Sequence, residues 1–214
     1  MSNKKLSRRD FFKVTGITLA ATTVLCGGLG YAATRIPAID TPDLTFSEEP
    51  TMNKKILVTY ATRAGSTAEV AAAIGETLNQ RGYIVDVKAV KELPVLDGYE
   101  AVIIGSAIRM GNWLPEAVEY LKTYQENLKT IPMATFSVHL QNLGDDEESR
   151  QNRQAYLATV RDLVKPVDEG YFAGSMDLSK LSFVDRMITK MVKSKEGDSR
   201  DWNKINTWAT SILA

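Results

Sequence analysis

The chain predicts an α/β domain built on a doubly wound, five-stranded parallel sheet with helices on both faces. Three observations predict it. Between residues 55 and 213, five short apolar runs alternate with segments of helical period, the pattern of consecutive βαβ units. The first run, residues 55–60, is a short apolar stretch rich in strand formers, as a strand buried on both faces is. The first run passes through a loop rich in hydroxyls and glycine directly into a helix.

Residues 55–60 (Lys-Ile-Leu-Val-Thr-Tyr) form the first expected strand. Residues 66–81 carry Val70, Ala71, Ile74 and Leu78 at helical spacing, and Gly82 follows as a C-cap. Residues 83–88 and 101–105 read as the second and third strands. Residues 115–127 read as a helix with Pro115 in its first turn, where proline is tolerated. Strand four spans residues 133–140, a helix covers 151–165, and strand five spans 169–173. Residues 183–193 read as a short amphipathic helix. Residues 201–213 close the chain as a helix with Trp202, Ile205, Trp208, Ala209 and Ile212 near one face. The sequence shows no internal repeat and no low-complexity block.

The first 34 residues read as an address. Ser7-Arg8-Arg9-Asp10-Phe11-Phe12-Lys13 resembles a twin-arginine export signal. Residues 14–34 then carry no charge and match the length of a bilayer-spanning helix. Their Thr and Gly content makes them only mildly apolar. Gly30-Tyr31-Ala32 is a poor small-x-small cleavage site, and Leu25 stands before Cys26 where a lipidated cysteine requires a small residue. Retention as an anchor and cleavage both stay open. Export places the protein in the periplasm or on the outer face of the cytoplasmic membrane, with membrane association through this segment. Residues 35–54 contain Pro37, Pro42 and Pro50 with no sustained period and read as a linker. The domain is expected to span 55–214.

Composition excludes several function classes. Net charge is +0, which argues against a nucleic-acid partner. The one cysteine excludes an internal disulfide and a cysteine-based metal site, and the one histidine, His139, excludes a histidine cluster. No metal is expected.

Chemistry concentrates after the first strand. In Thr62-Arg63-Ala64-Gly65-Ser66-Thr67, three hydroxyls and the N–H groups of a helix start form a cradle for phosphate. Gly65 permits a tight, left-handed turn. The loop lacks Gly-Lys-Ser/Thr and Gly-x-Gly-x-x-Gly, so it matches neither the triphosphatase nor the dinucleotide pattern. A plain Ser/Thr helix cap is the simpler alternative.

Tyr60, Thr62, Gly65, Thr67 and Ala71 together resemble the flavodoxin signature, with Thr59 departing from the usual apolar position. The resemblance implies a flavodoxin-like fold and FMN as cofactor. Flavodoxin is also the standing example of ligand binding at the carboxyl ends of strands. It implies that the loop after the third strand, Gly105-Ser106-Ala107-Ile108-Arg109-Met110-Gly111-Asn112-Trp113, lies beside the flavin ring. There Ser106 would orient the loop, backbone N–H groups near Gly111 would meet the ring's polar edge, and Arg109 would offset an anionic reduced flavin. Trp113 offers a face for stacking, or else anchors the core. A third loop follows Ser137-Val138-His139-Leu140, with His139 either a proton donor or structural. No catalytic residue is singled out.

Longer pieces resemble the menaquinone-dependent protoporphyrinogen dehydrogenase family: residues 60–67, 102–113 and 136–140, then Asp185-Arg186-Met187-Ile188 and Asp201-Trp202. That family carries FMN and passes electrons from a porphyrinogen to a quinone. Two features depart from it. Gly144-Asp145-Asp146-Glu147-Glu148-Ser149-Arg150 is acidic where the family is basic, and would repel porphyrin propionates. The outward address is the second. The expected function is an FMN redox protein acting at or across the membrane, with a redox partner protein or a quinone. The alternative is a flavin-free α/β binding module that kept the fold.

Overall fold

The computed structural model describes residues 43–47, 51–177 and 196–213. The expected address segment and the expected helix over 183–193 lie outside the described residues. Strands are β1 (Leu44–Phe46), β2 (Lys55–Ala61), β3 (Ile84–Ala89), β4 (Ala101–Arg109), β5 (Asn112–Trp113), β6 (Met133–His139), β7 (Asp168–Ala173), β8 (Ser175–Met176) and β9 (Gly197–Asp198). Helices are α1 (Ser66–Gln80), α2 (Pro115–Thr123), α3 (Gln125–Leu128), α4 (Glu147–Ala155), α5 (Ala158–Leu163) and α6 (Trp202–Ser211).

The sheet runs β1-β3-β2-β4-β6-β7. The five strands from β3 to β7 are all parallel, which is the doubly wound order with its reversal between β2 and β4. The register sets Ala61 beside Ser106 and Ser106 beside Ser137. The loops that leave β2, β4 and β6 therefore emerge side by side at one end of the sheet. Helices cover both faces because the central strands β2, β4 and β6 are buried on both. Val70, Ile74 and Leu78 of α1 and Ile205 and Ala209 of α6 pack on Ile56, Val58, Ile103 and Phe136. Leu114, Ala117 and Leu121 of the α2 segment, with Leu157 and Val160 near α5, pack on Leu57, Val102 and Ile104.

Four readings need correction. The stretch expected as a linker contains strand β1, which pairs antiparallel to β3 with Leu44 beside Val87 and Phe46 beside Val85. Leu44 and Phe46 pack against the core, so the sheet begins before residue 55. Residues 106–109 continue β4 instead of forming a loop, and turn at Met110–Gly111 into antiparallel β5. The helix expected over 115–127 breaks at Tyr124, between α2 and α3. The helix expected over 151–165 starts earlier, at Glu147, where the Asp146 carboxylate accepts from Ser149 N–H at 2.8 Å, and it breaks after Ala155. The acidic run is thus a capped helix start, with acids where the helix dipole favours them.

β1 is also tied by charge. Asp86 of β3 is 4% exposed. Its carboxylate takes Lys55 Nζ at 2.8 Å, Tyr99 OH at 2.5 Å and Thr45 Oγ1 at 2.9 Å. Burial alone would raise its pKa, but these three partners outweigh burial and hold it below the usual value. The depressed pKa makes its contribution fully present above the unfolded value near 3.9, and lost as pH falls through the folded value. Asp86→Ala leaves three donors without their acceptor and is expected to cost about 2–3 kcal/mol, read as a lower urea midpoint at pH 7. The loss relative to the parent chain should shrink toward pH 3.

Candidate functional site

The loop from Thr62 to Thr67 closes on itself. Gly65 adopts φ 92°, ψ −22° as the residue preceding α1, and no side chain caps that helix. A side chain at this left-handed angle would be strained. Gly65 N–H donates to Thr62 Oγ1 at 3.0 Å, while its carbonyl accepts from Ala68 and Glu69 N–H. The loop thereby delivers Ser66 and Thr67 as the first residues of a 15-residue helix, where their N–H groups have no carbonyl of their own helix to meet.

Thr67 is fully buried, and its Oγ1 has no hydrogen-bond partner. An orphaned buried hydroxyl carries an unmet desolvation cost. At a helix N-terminus it suits an anion, because the hydroxyl donates and the dipole attracts negative charge. The loop therefore fits a phosphate monoester. Ser66 lies beside Thr67, close to full burial, and Ala64 is half-buried. Arg63 is committed elsewhere. Its guanidinium holds the Glu116 carboxylate by two contacts, Nη1 to Oε1 and Nη2 to Oε2 at 2.9 Å. That fork clamps the loop to the first turn of α2.

The hairpin after β4 supplies the second wall. Met110 and Gly111 both take positive φ, at 51° and 77°, as a tight two-residue hairpin turn requires. Ala107, Ile108 and Arg109 are half-buried. Ser106 is buried in the hairpin, accepting Leu114 N–H at 2.9 Å and donating to Ala107 O at 2.9 Å. Trp113 does not offer a stacking face. It is 4% exposed, packs in the core beside Leu114, and donates its indole N–H to Ser137 Oγ at 2.8 Å. Ser137 is consequently buried and occupied by that bond.

The third wall follows β6. His139 is 4% exposed and its Nδ1 lies 2.7 Å from Gln141 O. A carbonyl only accepts, so Nδ1 carries the proton and Nε2 presents a lone pair, which has no partner. Burial, together with the positive charges of Arg153 and Lys204, outweighs the Gln141 contact and lowers its pKa to about 4. A neutral imidazole with its only proton given to Gln141 is a poor proton donor, so the histidine shapes the loop. Arg153 helps by donating Nη1 to Asn142 O and Gly144 O, both at 2.5 Å. The sign of the pH effect follows. Between pH 6.5 and about 4 the unfolded chain binds a proton at His139 that the folded chain refuses, so stability falls as pH falls through that window. A His139→Asn variant is expected to show a flatter unfolding midpoint between pH 7 and 4.5.

Sequence reading missed a fourth contributor. Gly174, just after β7, donates N–H to His139 O at 2.8 Å and accepts Ser199 N–H at 3.1 Å. Beyond the β8–β9 pair, Arg200 holds Asp198 through Nε at 2.8 Å and Nη2 at 2.6 Å, and also Glu69 in the first turn of α1. Glu116 and Glu69 were visible only as acids in first helical turns, with nothing in the sequence to pair them with Arg63 and Arg200.

The Flavodoxin domain family model matches residues 57–203. The protoporphyrinogen IX dehydrogenase [quinone] of Escherichia coli (strain K12) is 26% identical over 170 residues, covering 74% of this chain and 94% of that protein. The protein of the same name from Leishmania major is 28% identical over 155 residues, covering 70% of this chain and 67% of that one. Among solved structures, oxidised Flavodoxin 2 from Bacillus cereus aligns with TM-score 0.44 at 19% identity, over 72% of this chain and 94% of that chain. Fusobacterium nucleatum flavodoxin bound to flavin mononucleotide aligns with TM-score 0.47 at 16% identity, over 74% and 96%. The chain belongs to the flavodoxin-domain family.

Proposed function

We propose that this chain is an FMN-dependent redox protein that delivers electrons to a quinone at the outer face of the membrane to which its N-terminal segment addresses it. One observation carries the cofactor reading: the buried, unpartnered Thr67 hydroxyl at the start of α1, behind the left-handed Gly65. FMN when bound supplies one- and two-electron transfer, while the protein supplies binding, orientation and electrostatics. The Ser66 and Thr67 hydroxyls and their backbone N–H groups would hold the phosphate. The Ser106-braced hairpin and the His139-braced loop wall the space beside it, and Arg109 stands on the hairpin strand. The likeness to proteins named as quinone-linked protoporphyrinogen dehydrogenases supports a quinone acceptor.

The donor has two readings. The same likeness supports a porphyrinogen. The exposed acidic stretch Asp145, Asp146, Glu147 and Glu148 favours a protein donor with a basic face, because it repels porphyrin carboxylates. Anaerobic stopped-flow mixing separates them. A porphyrinogen donor predicts bleaching of the flavin bands by protoporphyrinogen and their recovery on adding menaquinone. No bleaching by protoporphyrinogen, with recovery by menaquinone after chemical reduction, leaves the protein donor. No recovery with menaquinone contradicts the quinone reading.

A further inference from the structure

We propose that the end of the domain carrying the flavin loops is the end held against the lipid bilayer. The proposal rests on the reading of residues 14–34 as a retained membrane segment. It adds an orientation that neither the family nor the sequence supplies.

The direction of β1 carries it. Because β1 is antiparallel to β3, with Leu44 beside Val87, the chain enters the domain at the carboxyl end of the parallel strands. Asp43 is fixed there, with its carboxylate 4.0 Å from Lys88 Nζ and beside Glu92. The loops after β2, β4 and β6 leave from that same end. Residues 35–42, which join the expected membrane segment to Asp43, reach about 30 Å when fully extended. A folded domain of this size is about 40 Å across. The tether is shorter than the domain, so it brings the flavin end to the bilayer more readily than the opposite end.

The surface agrees. Leu93 and Val95 are each 61% exposed, Met110 is 75% exposed and Leu143 is 47% exposed. All four lie on connections that follow the carboxyl ends of β3, β4 and β6, whereas Met52 and Val167, 37% and 65% exposed, lie at the opposite end. Leu93 follows Glu92, whose carboxyl meets Asp43 where the chain enters. An apolar rim inserted shallowly into the headgroup region would cover these side chains. The acidic stretch at 145–148 flanks the rim and predicts preference for zwitterionic over anionic lipid. The consequence is short access for a quinone dissolved in the membrane.

The test uses the full chain loaded with FMN in phosphatidylcholine vesicles. Single cysteines are placed by Met110→Cys on the rim and Val167→Cys on the opposite end, both in a Cys26→Ser background, and labelled with an environment-sensitive fluorophore. Flotation reads anchoring, a nitroxide on the lipid chains reads depth, and flavin absorbance reads the cofactor in the same sample. The expected result is flotation with loss of most emission at Met110→Cys and little loss at Val167→Cys. Flotation with equal quenching, or with quenching at Val167→Cys alone, overturns the orientation and leaves the anchor standing. A chain that stays at the bottom of the gradient overturns the orientation together with the anchor. In either case retained flavin bands keep the cofactor reading separate.

Discussion

Thr67→Val is expected to weaken FMN binding about tenfold to a hundredfold while leaving the cofactor-free protein as stable as before, or more so. The two halves of this prediction move in opposite directions for one reason. The Thr67 hydroxyl is buried without a partner, so in the empty protein it costs desolvation and returns nothing. Valine has nearly the same shape and removes that cost. With FMN bound, the hydroxyl donates to a charged phosphate oxygen, and hydrogen bonds to charged groups contribute about 1.5–3 kcal/mol. A change of 1.4 kcal/mol is about tenfold in Kd. Quenching of FMN fluorescence on titration gives the affinity, and the apo Tm gives the stability. Unchanged affinity with a raised Tm would make Thr67 a packing residue only. Adding Gly65→Ala should weaken binding further, because the left-handed angle at that position costs about 1–2 kcal/mol for a residue with a Cβ.

Gly105→Ala is expected to lower stability by about 3 kcal/mol, which for a domain of this size is a Tm drop of roughly 6–12 °C. Gly105 sits in the middle of β4, in register with Tyr60 and Phe136. A Cβ there would lie 2.0 Å from Phe136 Cζ and 2.3 Å from both Cε atoms. The ring cannot swing away easily. Phe136 is fully buried, with the Phe172 and Trp208 rings each 6.4 Å from it. Backbone or ring must move, and overpacking of this kind is felt throughout a close-packed core. Phe136→Leu in the same chain should recover part of the loss by giving the new methyl room. A Tm drop below about 2 °C in the single variant would contradict the packing.

Much of the fold was legible because its elements are long and strongly patterned. β2 and β4 carry apolar runs and α1 carries a clear 3.6-residue stripe, so order and type follow from pattern. β1 was not legible. It has three residues, lies between Pro42 and the region of Pro50, and is a strand only because β3 offers it an edge. The breaks at Tyr124 and after Ala155 carry no glycine or proline to announce them.

The site divides in the same way. The Thr62-to-Thr67 cradle was legible because its residues are neighbours in sequence and Gly65 must supply the left-handed turn. The fate of Trp113 was decided by Ser137, 24 positions away, and that of Arg63 by Glu116, 53 positions away. Neither pairing leaves a local mark. His139 carried two readings in the sequence, and the Gln141 carbonyl 2.7 Å from its Nδ1 supports the structural one. The contribution of Gly174 and Arg200 was hidden because the intervening chain from β8 to β9 separates them in sequence while they meet beside α1.

The central claim is that the cradle at the start of α1 binds FMN. The most direct measurement is the absorbance spectrum of the purified chain after incubation with FMN and gel filtration, beside the Thr67→Val variant. The account predicts flavin bands that travel with the parent chain and are lost or diminished in the variant. A parent chain that stays colourless would contradict it and leave a flavin-free α/β binding module on a flavodoxin scaffold.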